Sequence, residues 1–525
     1  MNIALTPMRF LERTVQIYGK KAGVICGADR FSYIEYGQRV NRLSNGLLKM
    51  GVSKGDRISY LGYNCHQLLE AFFAVPRIGA VLLPLNIRLL PHDFEYILNE
   101  SSPRVLFLDQ DFIPQIESIR SRTPSVEQFI LLKDMHSAPP WISGTYENVL
   151  KDASTKPPFP PGSYPFEEDD VAEIFYTSGT TGKPKGVMLT HRNLYLHALE
   201  TLVVSEMDET DIQLHLIPLF HVNGWGTPHY LTAKGGTHIM SRKFDPVETL
   251  EIIQREKVTR LYIIPIMVNA ILALPEFNKY DVSSMRRILI GGAPPPTGMI
   301  ERVEEAFGCL THTAFGMTEA CPLIAWPELG PHLEPESRQY RAKKTWGFPM
   351  PGVEFRIVDP GGKDLPWDGQ AVGELLVRGD MVMKGYYNSP RETEDALKDG
   401  WYHTGDLVAI GPDGSLFVKD RLKDIIISGG ENISSLEVEA VLYAHPAILE
   451  CAVIAKFDEK WGEVPMAFVV LKEGSNSSPQ EIIDFARSQL AHFKAPKEVR
   501  IIADFPRGGT GKILKSVLRQ KYRAS

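Results

Sequence analysis

The chain has 525 residues, 57 Lys and Arg against 64 Asp and Glu for a net charge of −7, 43% hydrophobic and 23% charged residues, and five cysteines. This composition excludes a disordered chain, a collagen-like repeat and a disulfide scaffold, and the length suggests about three structural units with large cores. A mildly acidic chain has no electrostatic footprint for nucleic acid or an anionic bilayer, so small molecules are the expected partners.

Cys26, Cys65, Cys309, Cys321 and Cys451 contain no C-x-x-C spacing and mostly stand in apolar runs, as reduced core thiols do. A reducing, cytoplasmic setting is expected. Arg9 and Glu12 lie among the first apolar residues, so no signal-peptide core can be drawn there. The longest oily stretch, around Ala71 to Leu85, contains Pro76 and Arg77 and is too short to span a bilayer. The last residues, Arg523-Ala524-Ser525, do not form a Ser-Lys-Leu signal.

In chain order, Ser32 and Glu35 read as a capping box opening a helix with Val40, Leu43, Leu47 and Leu48 on one face. A strand near Arg57–Leu61, a helix over about Gln67–Ile78, a strand at Ala80–Leu85 and another at Arg104–Leu108 continue a βα rhythm. Pro139, Pro140, Pro157, Pro158, Pro160, Pro161 and Pro165 mark residues 137–170 as a connector. Strands at Ala172–Tyr176, Ile212–Leu216, Thr259–Ile264 and Arg287–Ile290 are each expected to lead through a turn into a helix. After Gly411, short strands at Leu416–Lys419, Asp424–Ile427, Ala452–Ala455 and Met466–Leu471 interleave with helices near Ser435–Ala444 and Pro479–Leu490. The expected fold is α/β, with a large N-terminal lobe of α/β subdomains over residues 1–419 and a small mobile C-terminal α+β domain over 420–525.

The most informative segment is Tyr176-Thr177-Ser178-Gly179-Thr180-Thr181-Gly182-Lys183-Pro184-Lys185-Gly186-Val187, directly after an apolar strand. Hydroxyls, glycines and two lysines make a turn whose N–H groups and side chains can surround phosphate oxygens, although a plain polar hairpin has similar composition. Pro184 after Gly182-Lys183, and Thr177 where a first glycine is required, exclude a Walker motif.

This segment resembles the phosphate loop of the adenylate-forming superfamily of acyl-CoA synthetases, luciferases and peptide-synthetase adenylation domains. Further segments match in order: Phe315-Gly316-Met317-Thr318-Glu319, His403-Thr404-Gly405-Asp406, the hinge Asp420-Arg421-Leu422-Lys423-Asp424, and Gly508-Gly509-Thr510-Gly511-Lys512. The resemblance implies that Lys512 and Glu319 are catalytic, with His221 beside them. It implies nucleotide contacts from Thr177 to Lys183, from Lys185, Gly292, Thr313, Ala314, Phe315, Gly316 and Thr318, and from Asp406, Arg421 and Lys423. Thr177 and Glu319 are the implied Mg²⁺ ligands, and Phe315 replaces the family's usual Tyr. Asp420 is the implied hinge, and Ser428, Gly429, Gly430, Glu431 and Asn432 face the thiol.

The implied acyl pocket comprises His221, Val222, Asn223 and Trp225 with Gly291, Gly292 and Ala293, Trp225 standing at a gate position. No acidic residue in these two segments could pair with an amino group, which favours an uncharged hydrophobic acid. A carboxylate is a poor electrophile until esterified to a leaving group such as AMP, so the expected chemistry joins an acid to coenzyme A through an acyl-adenylate, using MgATP. A fatty acid is the expected acid. An acyl carrier protein as acceptor, an aromatic or alicyclic acid, and a non-catalytic nucleotide-binding protein are the alternatives, and a homodimer is left open.

Overall fold

The computed structural model describes residues 3–160, 162–178, 184–292, 295, 298–327, 334, 336, 345–508 and 512–522. Among these residues two large sheets dominate the N-terminal part. One runs Gly385–Tyr386, Pro184–Thr190, Val171–Ser178, Val81–Pro84, Arg57–Leu61, Val105–Leu108, Gln128–Leu131 and Gly144–Thr145. The other runs Leu310–Thr313, Arg287–Ile290, Arg260–Ile263, Ile212–His215, Thr237–Met240, Ala22–Cys26 and Asp29–Ser32. Most pairings are parallel, and both faces of such strands must be covered. Val105–Leu108 illustrates this: Val105 and Phe107 join one buried cluster while Leu106 and Leu108 join another on the opposite face. The period-two alternation of a strand therefore reads as an uninterrupted apolar run when both faces are dry.

The oily stretch near Ala71 resolves into the helix His66–Arg77, buried along its whole length, and the strand Val81–Pro84. Its one buried acid, Glu70, accepts from Arg39 Nε at 2.7 Å, from His66 Nδ1 at 2.8 Å and from the Tyr146 hydroxyl at 2.6 Å. Tyr146 belongs to the proline-rich stretch, which corrects the expectation of a connector there. Tyr146, Leu150 and Phe166 are buried in the main core, and both flanking strands belong to the same sheet. The Ser32–Glu35 capping box is formed, and Val40, Leu43 and Leu47 are buried; Leu48 falls off the stripe and is exposed.

Two further expectations are corrected. The strand Val171–Ser178 is not followed by a helix but by the antiparallel strand Pro184–Thr190. Leu416–Arg421 does not join the small C-terminal sheet; it pairs with Tyr402–Ile410 in a four-stranded antiparallel sheet with Gly373–Arg378 and Glu354–Val358. The C-terminal sheet contains Glu431–Ile433, Ile426–Ser428, Gly462–Leu471, Ile448–Asp458 and Glu498–Ile501, with its own buried clusters around Val453 and Phe468. The helices Ser435–Tyr443, Pro479–Gln489 and Lys515–Tyr522 belong to this part of the chain. All five cysteines are free thiols, and no helix among the described residues is long and apolar enough to cross a membrane.

Candidate active site

A charged cluster forms where the four-stranded sheet meets the C-terminal chain. The register of Tyr402–Ile410 against Leu416–Arg421 sets Asp406 opposite Arg421, and Arg421 Nε lies 3.0 Å from Asp406 Oδ1. Gly405 takes a positive φ of 68°, and the Asp406 N–H donates to Thr404 Oγ1 at 3.1 Å, so the strand bends with Asp406 buried. Burial pushes the Asp406 carboxyl up, against the opposing field of Arg421, Lys512 and Lys423. Lys423 is itself lowered, first by burial and then by the like charge of Arg421.

Glu319 lies in the short helix Thr318–Ala320 and accepts from the Tyr386 hydroxyl at 3.1 Å, while its carbonyl accepts from the Met383 N–H at 2.8 Å. Burial raises its carboxyl, Arg421 opposes the rise and Asp406 adds to it. Lys185, paired with Thr177 across the hairpin, holds its ammonium 5.3 Å from the Tyr386 ring centre. Tyr386 thus links Glu319 to the hairpin formed by Val171–Ser178 and Pro184–Thr190. It escaped the sequence reading because consecutive tyrosines after a glycine look like ordinary strand residues. The hairpin and phosphate-loop readings are compatible: the loop joins two antiparallel strands. Gly179, Thr180, Thr181, Gly182 and Lys183, and the Ser178 side chain, lie outside the described residues.

Lys512 enters the same field. Arg421's like charge is the first cause that lowers its ammonium to about 8, while Asp406 and Asp424 oppose that shift. Lys512 also acts on His221, whose imidazole is lowered to about 4, first by burial and then by that charge. One ammonium therefore influences both Asp406 and His221. Gly509, Thr510 and Gly511 lie outside the described residues.

The wall beyond His221 is shaped rather than charged. Val222, Asn223, Gly224, Trp225 and Gly226 all take positive φ, a left-handed turn that costs a β-branched residue most. It directs Trp225 against Gly291, where an added Cβ would stand 2.8 Å from the indole, and Trp225 stacks on Tyr262 at 6.0 Å. Asn223 and Trp225 are buried. Gly292 has φ +77° and borders the same indole; Ala293 lies outside the described residues.

Phe315 meets Trp346 edge-on at 6.1 Å, a partner the sequence reading missed. Gly316 has no room for a Cβ against the Pro322 carbonyl, and Thr313 Oγ1 donates to the Thr345 carbonyl at 3.2 Å. Ala314 and Thr318 are buried beside them. In the small sheet, Gly429 and Gly430 form the two-residue turn between Ser428 and Glu431, both with positive φ, ahead of Asn432. The Gly429 N–H donates to the Trp461 carbonyl at 2.8 Å. Asp420 is buried where the four-stranded sheet ends.

The family model for AMP-binding enzymes matches residues 11–387, and the model for their C-terminal domain matches 437–512. The chain belongs to the AMP-binding enzyme family. Among its relatives are a peroxisomal butyrate–CoA ligase from Arabidopsis thaliana, 35% identical over 541 residues, covering 100% of this chain and 94% of that protein. A long-chain-fatty-acid–CoA ligase from Thermus thermophilus is also 35% identical, over 534 residues, covering 100% and 96%. The crystal structure of an anthranilate CoA ligase in complex with anthranoyl-AMP superposes with a TM-score of 0.89 at 26% identity, covering 100% of this chain and 98% of that one. The chain thus falls among the acid–CoA ligases of the adenylate-forming superfamily, a membership that implies ATP and coenzyme A as co-substrates.

Proposed function

We propose that this AMP-binding enzyme activates a hydrophobic carboxylic acid, in the first instance a fatty acid, and passes it to coenzyme A. The observation that carries this reading is a buried Asp406 facing Arg421 at 3.0 Å in the same chain as a dry, uncharged wall of Trp225 packed over Gly291 beyond His221. An acid carboxylate held beside His221 attacks the α-phosphorus of ATP, the bond to the β-phosphate oxygen breaks, and pyrophosphate leaves. The CoA thiol then attacks the acyl carbon and AMP departs.

In this reading Lys512 supplies a positive charge where charge concentrates on the transferring phosphoryl group, the dominant device for such chemistry. Asp406 accepts from the ribose hydroxyls and Phe315 packs on the base. Lys185 and the 177–183 loop hold the phosphates. The hard carboxylate of Glu319 and the hydroxyl of Thr177 are the groups that would hold a Mg²⁺, an ion that takes few protein ligands. When bound, Mg²⁺ would offset phosphate charge. Adenylation needs Lys512 in the cleft and thiolation needs it out, so we place the boundary between residues 419 and 420, with Asp420 as the hinge and residues 428–432 on the CoA side. Five free thiols, three of them buried, support a cytosolic, reducing location.

A second reading, an aromatic acid, is favoured by the indole and phenol rings of Trp225 and Tyr262 at the wall. Acid-dependent pyrophosphate release across acids from acetate to palmitate, with benzoate and cyclohexane carboxylate, decides between them. Release with aliphatic acids alone supports the first reading, and release with benzoate alone supports the second. Release with none of them contradicts both, and transfer to an acyl carrier protein but not to CoA contradicts the assigned acceptor.

A further inference from the structure

Asp420, the hinge in the reading above, is not free to turn alone. Its Oδ2 accepts from the Ser435 N–H at 2.5 Å, and its Oδ1 accepts from the Ser435 hydroxyl at 3.1 Å and from the Arg421 N–H at 2.7 Å. Ser435 opens the helix Ser435–Tyr443, where a carboxylate is favoured by the unpaired N–H groups. The same hydroxyl lies 2.7 Å from Lys515 Nζ, which also pairs with Glu439 Oε1 at 2.6 Å. Glu439 in turn accepts from the Val453 N–H at 2.7 Å in the central hairpin of the small sheet. Asp420, Ser435 and Glu439 are all buried.

Lys515 stands only three residues after Lys512, and three residues of chain span at most about 11 Å. The chain on either side of Lys512 is also pinned, because the Gly508 N–H donates to the Lys512 carbonyl at 2.8 Å and the Leu514 N–H to the Pro506 carbonyl at 2.8 Å. We propose that Lys515 is a positioning residue which, through the Ser435 hydroxyl, ties the hinge carboxylate Asp420 to the segment presenting Lys512, so that hinge and lysine move as one body. Without such a tie Lys512 would be delivered over more conformations, and the entropy of ordering it would raise the adenylation barrier. Thiolation, which needs Lys512 elsewhere, would not use the tie.

This inference rests on the roles given above to Lys512 and Asp420, and the experiment separates the two. Lys515→Met leaves Glu439 buried without its cation and can unfold the small lobe. Ser435→Ala removes only the bridging hydroxyl and leaves the Lys515–Glu439 pair in place, so it is the decisive variant. Acid-dependent pyrophosphate release and CoA-dependent consumption of supplied acyl-AMP are measured on full-length enzyme, with thermal melting as the check on fold. Ser435→Ala should lower adenylation about tenfold, the factor one charge-assisted hydrogen bond carries, and leave thiolation within about twofold. Equal loss in both half-reactions, or loss in neither, overturns the tie. Lys512→Ala run alongside identifies the failing part: if it keeps adenylation, the role of Lys512 falls and the tie with it. If it loses adenylation while Ser435→Ala shows no selective loss, the tie alone falls.

Discussion

The proposed nucleotide side and the proposed acyl side of the site are built by different means. On the nucleotide side, strand register sets Asp406 opposite Arg421 and Lys185 opposite Thr177, and a side-chain hydrogen bond joins Glu319 to Tyr386. On the acyl side a left-handed turn and a pair of glycines set a shape, with Trp225 filling the space that any side chain at Gly291 would need. Charges that perform chemistry must keep their type and spacing, whereas a wall that sorts apolar acids needs only volume. On the proposed reading the first side therefore serves the reaction and the second sorts the substrate.

Short of removing Lys512 itself, the largest effect that would sharpen this contrast is expected at Glu319. Glu319→Gln should lower adenylation by roughly 10²-fold, the scale on which removing one electrostatic contact to a transition state acts, with the preference among acids unchanged. A change in that preference, measured over the acid panel, would break the separation of the two sides. Next is Asp406→Asn, which leaves Arg421 without its carboxylate and should raise the KM for ATP about tenfold while sparing the KM for the acid.

The pH profile follows from Lys512. Its ammonium is the useful form, and Arg421 lowers it to about 8, so adenylation kcat/KM should be full below that value and fall as pH rises through it. Lys512→Arg keeps the charge and should remove the alkaline limb, which pyrophosphate release between pH 6 and 10 can check. The smallest overall effect is predicted for Trp225→Ala. The KM for ATP should hold while kcat/KM shifts between short and bulky acids by about tenfold, the range a few methylenes in an apolar pocket supply. An unchanged acid profile would remove Trp225 from the specificity wall.

The two sides also differ in how far the sequence discloses them. Strand positions such as Arg57–Leu61 and Arg287–Ile290 were readable because apolar runs bounded by turns leave little choice. Asp406, Arg421, Glu319 and Lys512 stood out as ordered motifs, and the fold brings them into one electrostatic field. Tyr386 and Trp346 did not stand out, because their roles arise from pairings distant in sequence: Tyr386 with Val187, and Trp346 beside Phe315. The proline-rich stretch misled for a related reason. Its prolines signal a linker, yet Tyr146 is fixed by a buried carboxylate more than seventy residues away. The size of acid accepted was never legible, since it depends on how a strained turn aims one indole.

On the proposed mechanism, one ammonium from the C-terminal chain serves adenylation and leaves the cleft for thiol transfer. Its most direct test is Lys512→Ala assayed separately in the two half-reactions. Acid-dependent pyrophosphate release should fall by roughly 10²–10³-fold while CoA-dependent consumption of supplied acyl-AMP persists near the parent rate. Undiminished pyrophosphate release, or an equal collapse of both half-reactions in a folded protein, would contradict it.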